Sequence, residues 1–222
     1  MTRKRAYLDG CAAAHALDLV GDRWALLVVR ELLLGPKRFT DLRLGLPRAA
    51  ANVIAQRLRE LETAGVVRRR TLRPPAASKV YELTDWGLEL EPVVIALGRW
   101  GSRSPRMRHD APLSVDALVL ALRTLFNPAA ARGLTGRIGL GFGPDEFVAS
   151  VSDGRFHIVR GDAATADATI VADLATVNAI IWEGRDLDDA IEAGALRVTG
   201  DIAMVSRFLE LFPLPTPAAS AD

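Results

Sequence analysis

The sequence has little of the chemistry that builds covalent or metal-dependent sites. One cysteine in 222 residues, Cys11, excludes an internal disulfide. His15, His109 and His157 are the only histidines. They lie far apart in the chain, and with one cysteine they offer no metal-ligand spacing. No serine stands in a nucleophile-elbow setting. No stretch approaches the roughly 20 apolar residues a helix needs to cross a bilayer. Asp9 and Asp18 interrupt the segment after Arg3, Lys4 and Arg5, which argues against a signal peptide. The expectation is a cytoplasmic protein without metal, cofactor, membrane span or enzymatic activity.

Gly139-Leu-Gly141-Phe-Gly143 invites a nucleotide reading. A dinucleotide fingerprint needs a further glycine at the right offset and a helix directly after it. Pro144, Asp145 and Glu146 follow instead, so these glycines read as strand and turn.

What the chain does have is an uneven charge distribution. Net charge is +1, yet residues 1–110 hold 20 Lys/Arg against 12 Asp/Glu, and residues 111–222 hold 8 against 15. A basic module followed by an acidic one is expected. Boundaries are expected at 1–101, a linker over 102–112, and a second domain over 113–222. The linker reading rests on the Gly, Ser, Pro and Arg content of Gly101 to Pro112.

In the first half, residues 12–19 read as a short helix. Asp22 is the expected N-cap of a helix through Trp24, Leu27, Val28 and Leu32, ended by Gly35 and Pro36. Phe39 to Leu44 reads as a short helix, and Gly45 and Pro47 separate it from a longer one. On that longer helix Ile54, Leu58 and Leu61 recur at helical spacing and mark a buried face. Asn52, Gln56 and Arg59 fall opposite, at i, i+4 and i+7. Amides and guanidinium groups make paired hydrogen bonds to purine edges in the major groove. Arg48 precedes this helix. Arg57 flanks its apolar stripe and has two readings, a phosphate contact or an acidic neighbour inside the domain.

Val66 and Val67 start a strand, and residues 79–83 return antiparallel to it. Arg68, Arg69, Arg70, Arg73 and Lys79 read as cations on a projecting loop stiffened by Pro74 and Pro75, and phosphate would neutralise them. Short helix, turn, longer helix and ribbon make a winged helix-turn-helix, whose usual partner is double-stranded DNA. Thr84 then caps a helix carrying Trp86, Leu90, Val93, Leu97 and Trp100, which Pro92 should kink or restart. Its apolar surplus suggests a homodimer.

Four blocks carry a family resemblance: residues 11–24 from Cys11 to Trp24, Arg30-Glu-Leu-Leu-Leu-Gly-Pro-Lys-Arg-Phe, Gln56-Arg-Leu-Arg-Glu-Leu-Glu, and Tyr81-Glu-Leu-Thr-Asp-Trp-Gly. Over residues 8–101 the chain resembles HxlR-type transcriptional regulators. The resemblance implies a dimeric winged-helix protein on an inverted repeat that represses or activates nearby genes. That family usually opens its recognition helix with a serine, where this chain has Ala49, Ala50 and Ala51. Some of its members sense electrophiles or oxidants through a cysteine near the position of Cys11. A thiol at a helix start favours thiolate. The competing reading, a buried small residue, is the commoner fate of free cysteine.

The second half shifts to period two. Strands are expected over 137–142, 146–152, 156–160, 168–172 and 196–198, with Asp153-Gly154 as a hairpin turn. Helices are expected over 113–126, 174–182, 187–193 and 202–212. Strands with helices gathered around them give an α+β layer. Residues 113–212, chiefly 166–173 and 184–201, resemble sterol-carrier-protein-like domains, which implies a sheet covered by helices around a tunnel for a small apolar or lipid-like ligand. Phe142, Phe147, Phe156, Ile181, Trp182, Met204 and Phe208 are candidate pocket residues, and each also fits plain core. The chain as a whole reads as a ligand-modulated transcriptional regulator. The alternative is a lipid or apolar-ligand carrier whose winged half serves dimerisation or protein contact.

Overall fold

The computed structural model describes residues 6–74, 77–108 and 111–219. Arg3, Lys4, Arg5, Pro75 and His109 lie outside the described residues. The fold is α+β, in two compact units, Met1–Val94 and Ile95–Asp222. That division falls ahead of the 102–112 stretch expected as a linker.

The first unit is helical with a two-stranded wing. Helices α1 (Ala12–Val20), α2 (Ala25–Leu32), α3 (Phe39–Gly45) and α4 (Ala51–Thr63) precede strands β1 (Val67–Thr71) and β2 (Lys79–Leu83). Its core is Val28, Val29, Leu32, Leu42, Ile54, Leu58 and Leu61, none more than 1% exposed. The α4 face expected to be buried is therefore sealed. Truncating one of these leucines to alanine costs about 2–5 kcal/mol.

Asp22 does not cap α2. Trp24 is the N-cap, in a left-handed conformation at φ 79°, and the Arg23 guanidinium stacks 5.3 Å from its ring centroid. The tight turn from Gly21 releases the Asp22 carboxylate to ion-pair with Arg57. On α2, Glu31 is fully buried and holds Arg30 Nη2 and Lys37 Nζ, each at 2.8 Å. A carboxylate removed from water needs such partners. The Lys37 backbone also exchanges hydrogen bonds with Tyr81 (2.9 and 2.8 Å), which sets the entry to α3 beside the wing. Sequence reasoning missed this bridge.

Thr84 caps α5 (Asp85–Leu88), its hydroxyl accepting from Gly87 N at 3.0 Å. A Cβ at Gly87 would collide with the Val66 carbonyl oxygen, so only glycine lets α5 sit against the wing's base. The helix restarts as α6 (Glu91–Gly101), with Pro92 at its second residue, where the absent N–H costs nothing.

The second unit is a five-stranded mixed sheet with helices. Its strands are β3 (Gly136–Phe142), β4 (Asp145–Ser152), β5 (Arg155–Arg160), β6 (Ala168–Ala172) and β7 (Leu196–Gly200), in the order β5-β4-β3-β6-β7. Among the described residues only β3 and β6 pair parallel; the other ladders are antiparallel. Helices α7 (Val115–Leu125), α8 (Leu174–Trp182), α9 (Leu187–Glu192) and α10 (Ile202–Leu209) accompany it. The expected Asp153-Gly154 turn is present, with φ 51° and 68°, the paired positive values of a two-residue hairpin. Gly139 and Gly141 lie in β3 and Gly143 in the turn after it, as the strand-and-turn reading had them. Helix α10 stops at Leu209, short of the expected Phe212.

Strand alternation sends Ile138, Leu140, Phe147, Ala149, Val151, Ile158 and Ile170 into the core, all at or below 2% exposure. Buried Asp116 of α7 accepts from Arg160 Nη2 at 2.9 Å, and that guanidinium lies 4.7 Å from the Phe147 ring centroid. The Arg99 guanidinium of α6 donates to the Thr124 carbonyl at 3.2 Å, and Gly98 packs beside Thr124. Among the described residues no helix is long and apolar enough to cross a membrane.

Candidate nucleic-acid interface

Helix α4 presents two unlike faces. Opposite the sealed Ile54-Leu58-Leu61 stripe, Asn52, Gln56 and Arg59 are all exposed. Two of the three have local partners. Asn52 Oδ1 accepts from Val53 N at 3.0 Å, and Gln56 Nε2 donates to Glu60 Oε1 at 3.0 Å. These bonds are solvent-exposed and exchange readily for an outside partner. Arg59 makes no ion pair among the described residues.

The N-terminus of α4 carries no side-chain cap. Ala50 is the N-cap residue, where a serine hydroxyl would otherwise accept from the first turn. Asn52 Oδ1 accepts from one of those amides, and exposed Arg48 lies in the turn just ahead of the helix. Arg43 on α3 is exposed nearby, and Arg38 Nε donates to Ser78 Oγ at 3.1 Å, linking the start of α3 to the wing. Sequence reasoning missed both cations. Their signal was present, as basic residues flanking the first helix of the turn.

Arg57 is half-buried and engaged within its own domain. Its side chain is 14% exposed and ion-pairs with Glu60 at 2.7 Å and with Asp22. Of its two sequence readings, the acidic neighbour inside the domain holds.

The wing corrects the picture of five cations on a projecting loop. Arg68, Arg69 and Arg70 lie in β1, Lys79 opens β2, and Arg73 alone sits in the loop. Because side chains alternate along a strand, Arg68 and Arg70 share a face and both reach Glu82, at 2.7 and 2.8 Å. Arg69 points the other way, to Glu62 at 3.0 Å and over the Tyr81 ring at 5.3 Å. The repulsion that phosphate was expected to relieve is thus already met by Glu62 and Glu82. Arg73 and Lys79 are exposed and make no ion pair among the described residues. At half-exposed positions such pairs contribute about 0–1 kcal/mol, so they are exchangeable.

Cys11 corrects the buried reading. It is exposed, as the N-cap residue of α1. The amides of Ala14 and Ala13 hold its thiol below the ordinary cysteine range.

In the second unit the seven expected pocket residues divide between a cleft and an aromatic cluster. Phe142 lines a half-open cleft of about 730 Å³, and the other six are not among its walls. Phe156 and Phe208 stack with Phe126 and Phe212, Phe147 packs against Phe142, and Trp182 Nε1 donates to the Phe212 carbonyl at 2.9 Å. Phe147 and Phe208 are buried, whereas Phe156 and Trp182 are half-buried. Among the described residues no group of three His, Cys, Asp or Glu side chains is placed to hold a metal ion.

A helix-turn-helix built from α3 and α4, followed by the β1-β2 wing, defines a winged helix-turn-helix protein. The chain belongs to the HxlR-like helix-turn-helix family, whose model matches residues 19–108, and carries an SCP-2 sterol transfer family domain matching residues 123–213. It is similar to the uncharacterised HTH-type transcriptional regulator YdeP of Bacillus subtilis (strain 168), 33% identical over 95 residues, 43% of this chain and 74% of that one. It is also similar to YvaP of the same organism, an uncharacterised HTH-type transcriptional regulator, at 36% over 87 residues, 39% of this chain and 81% of that one. A solved structure, the reduced form of the transcriptional regulator YodB from B. subtilis, is 30% identical with a TM-score of 0.39, covering 44% of this chain and 97% of that one. The protein is an HxlR-family helix-turn-helix transcriptional regulator with an SCP-2 domain.

Proposed function

We propose that the protein binds an inverted repeat in double-stranded DNA as a homodimer, in the cytoplasm, and that a small apolar ligand in the SCP-2 domain modulates that binding. The observation that carries the reading is the exposed Asn52-Gln56-Arg59 stripe on α4, opposite the buried Ile54-Leu58-Leu61 stripe. The three side chains read base edges. Arg48, Arg73 and Lys79 contact phosphates, and Arg68, Arg69 and Arg70 exchange Glu82 and Glu62 for phosphate on binding. Open amides at the uncapped start of α4 suit a further phosphate.

The dimer reading rests on α6, which has no buried residue, with Val93, Leu97 and Trp100 exposed at i, i+4 and i+7. Trp100 is 79% exposed, and an apolar stripe of that kind favours a covering partner. A twofold axis matches half-sites one helical turn or a multiple apart. Exposed Cys11 suits a thiol that responds to oxidants or electrophiles.

The test is fluorescence anisotropy with a duplex from the protein's own promoter, at several salt concentrations. Gln56→Ala and Arg59→Ala are each expected to cost about 1–3 kcal/mol of specific binding without lowering the melting temperature. Absence of any duplex binding at low salt would sink the regulator reading and leave the carrier reading standing.

A further inference from the structure

The aromatic side chains of the second unit pack against one another. Phe126, Phe156, Phe208 and Phe212 pack with ring centroids 5.1 to 6.3 Å apart. Open space lies elsewhere in the second unit. The 730 Å³ cleft sits at the carboxyl ends of β3 and β6, the one parallel pair, where the chain leaves β6 for α8. Its size falls within the ~300–1,000 Å³ range of small-molecule sites. Its position is one where sheets with parallel strands leave a crevice.

The walls are apolar, with Pro112, Leu113, Val115, Phe142 and Leu174 among them. Helix α8 supplies one wall. Its first turn brings half-buried Leu174 and exposed Ala175 to the cleft, with Asn178 one turn on. A guest lying along α8 would remove that surface from water.

The charged side chains among the walls of the cleft have one sign. Asp173 and Glu183 line it, with Asn178, and no Lys, Arg or His is among its described walls. Asp173 is largely engaged, accepting from Thr176 N at 2.6 Å, with Arg185 close enough to act on its charge. Glu183 Oε1 accepts from Asn178 Nδ2 at 2.6 Å, and Oε2 makes no hydrogen bond among the described residues.

We propose that this cleft binds an apolar molecule ending in a protonated amine, with the amine at Glu183 and the apolar body along α8. The proposal rests on the ligand-binding reading above. It adds the place and the charge of the guest. A carboxylate-ended molecule of equal length would bring like charge against Glu183 and Asp173.

The experiment is titration calorimetry of the full chain with decylammonium and with decanoate, both below the concentration at which they form micelles. Decylammonium is expected to bind about tenfold or more tightly than decanoate, a difference of about 1.4 kcal/mol or more. Glu183→Gln removes that preference. Ala175→Trp fills the cleft without changing charge and abolishes decylammonium binding. Undiminished binding to Ala175→Trp would mean a cation adsorbed on the acidic surface, and the proposal falls. Decanoate binding that is equal or tighter, and blocked by Ala175→Trp, keeps a ligand site but overturns the amine. Binding of neither probe by intact protein sinks both the amine and the ligand reading.

Discussion

The two units place their suggestive residues differently. On α4 the residues with base-reading chemistry are exposed, and packing explains none of them. In the sheet unit the aromatics with ligand-binding chemistry are mostly sealed, while the open cleft is walled by Pro, Ala, Leu and two carboxylates. A polar stripe opposite an apolar one keeps any surface helix solvated, but packing does not ask for amides and a guanidinium there rather than Glu and Lys. An aromatic residue always has a structural reason, because it contributes to a core wherever it is buried. Function is therefore easier to read from misplaced polarity than from well-placed hydrophobicity.

The largest effect that tests this contrast is on stability. Phe208, 1% exposed and in contact with the Phe156 and Phe212 rings, is core rather than pocket wall. Phe208→Ala is expected to cost about 3–5 kcal/mol in urea unfolding, monitored by tryptophan fluorescence. A cost under about 1 kcal/mol would mean the ring borders a cavity, and the contrast between the units would fail.

The same contrast explains how far the sequence could be read. Period-two and period-3.6 patterns placed nearly every element, because Ile54, Leu58 and Leu61, or Ile138 and Leu140, must face a core. Strand β6 and helix α8 agree with expectation at both ends. Tertiary facts were not legible. Nothing local says that the carboxylate of Asp22 leaves its expected cap position for Arg57, thirty-five positions on. Nothing local says that Glu82 lies across from Arg68 until the strand register is known. The cleft was illegible for another reason. It is assembled from Pro112, Phe142 and the two ends of α8, Leu174 and Glu183, residues of three separate segments with no shared motif.

An intermediate effect concerns the wing, where the first unit offsets its own charge. Glu82 is nearly buried and binds both Arg68 and Arg70. Glu82→Gln should free two cations, so non-specific DNA affinity rises and the plot of log affinity against log salt steepens by about 1 or more. Arg73→Ala removes a cation with no ion pair and should flatten that slope by about 1. Arg70→Ala should change it less, because Glu82 already offsets that charge in the free protein. Matching melting temperatures would assign these shifts to the interface. An unchanged slope in Glu82→Gln would mean that the β1 arginines never reach phosphate.

The smallest effect is at Cys11, where the first unit exposes a residue the sequence suggested was buried. The Ala14 and Ala13 amides stabilise the thiolate and lower the thiol's pKa. A lowered pKa means that thiolate is already present at a pH where free cysteine is still protonated. The rate of alkylation by iodoacetamide should therefore begin to rise at lower pH than for free cysteine, and fall away only as pH drops through the lowered value. Replacing the α1 start with Ala13→Pro removes one of the two amides and should move the profile back toward free cysteine, at little cost because proline is tolerated in a first helical turn. A profile for the native protein that overlays free cysteine would remove the helix-start amides as the cause, and with them the chemical basis for treating Cys11 as a sensor rather than an exposed bystander.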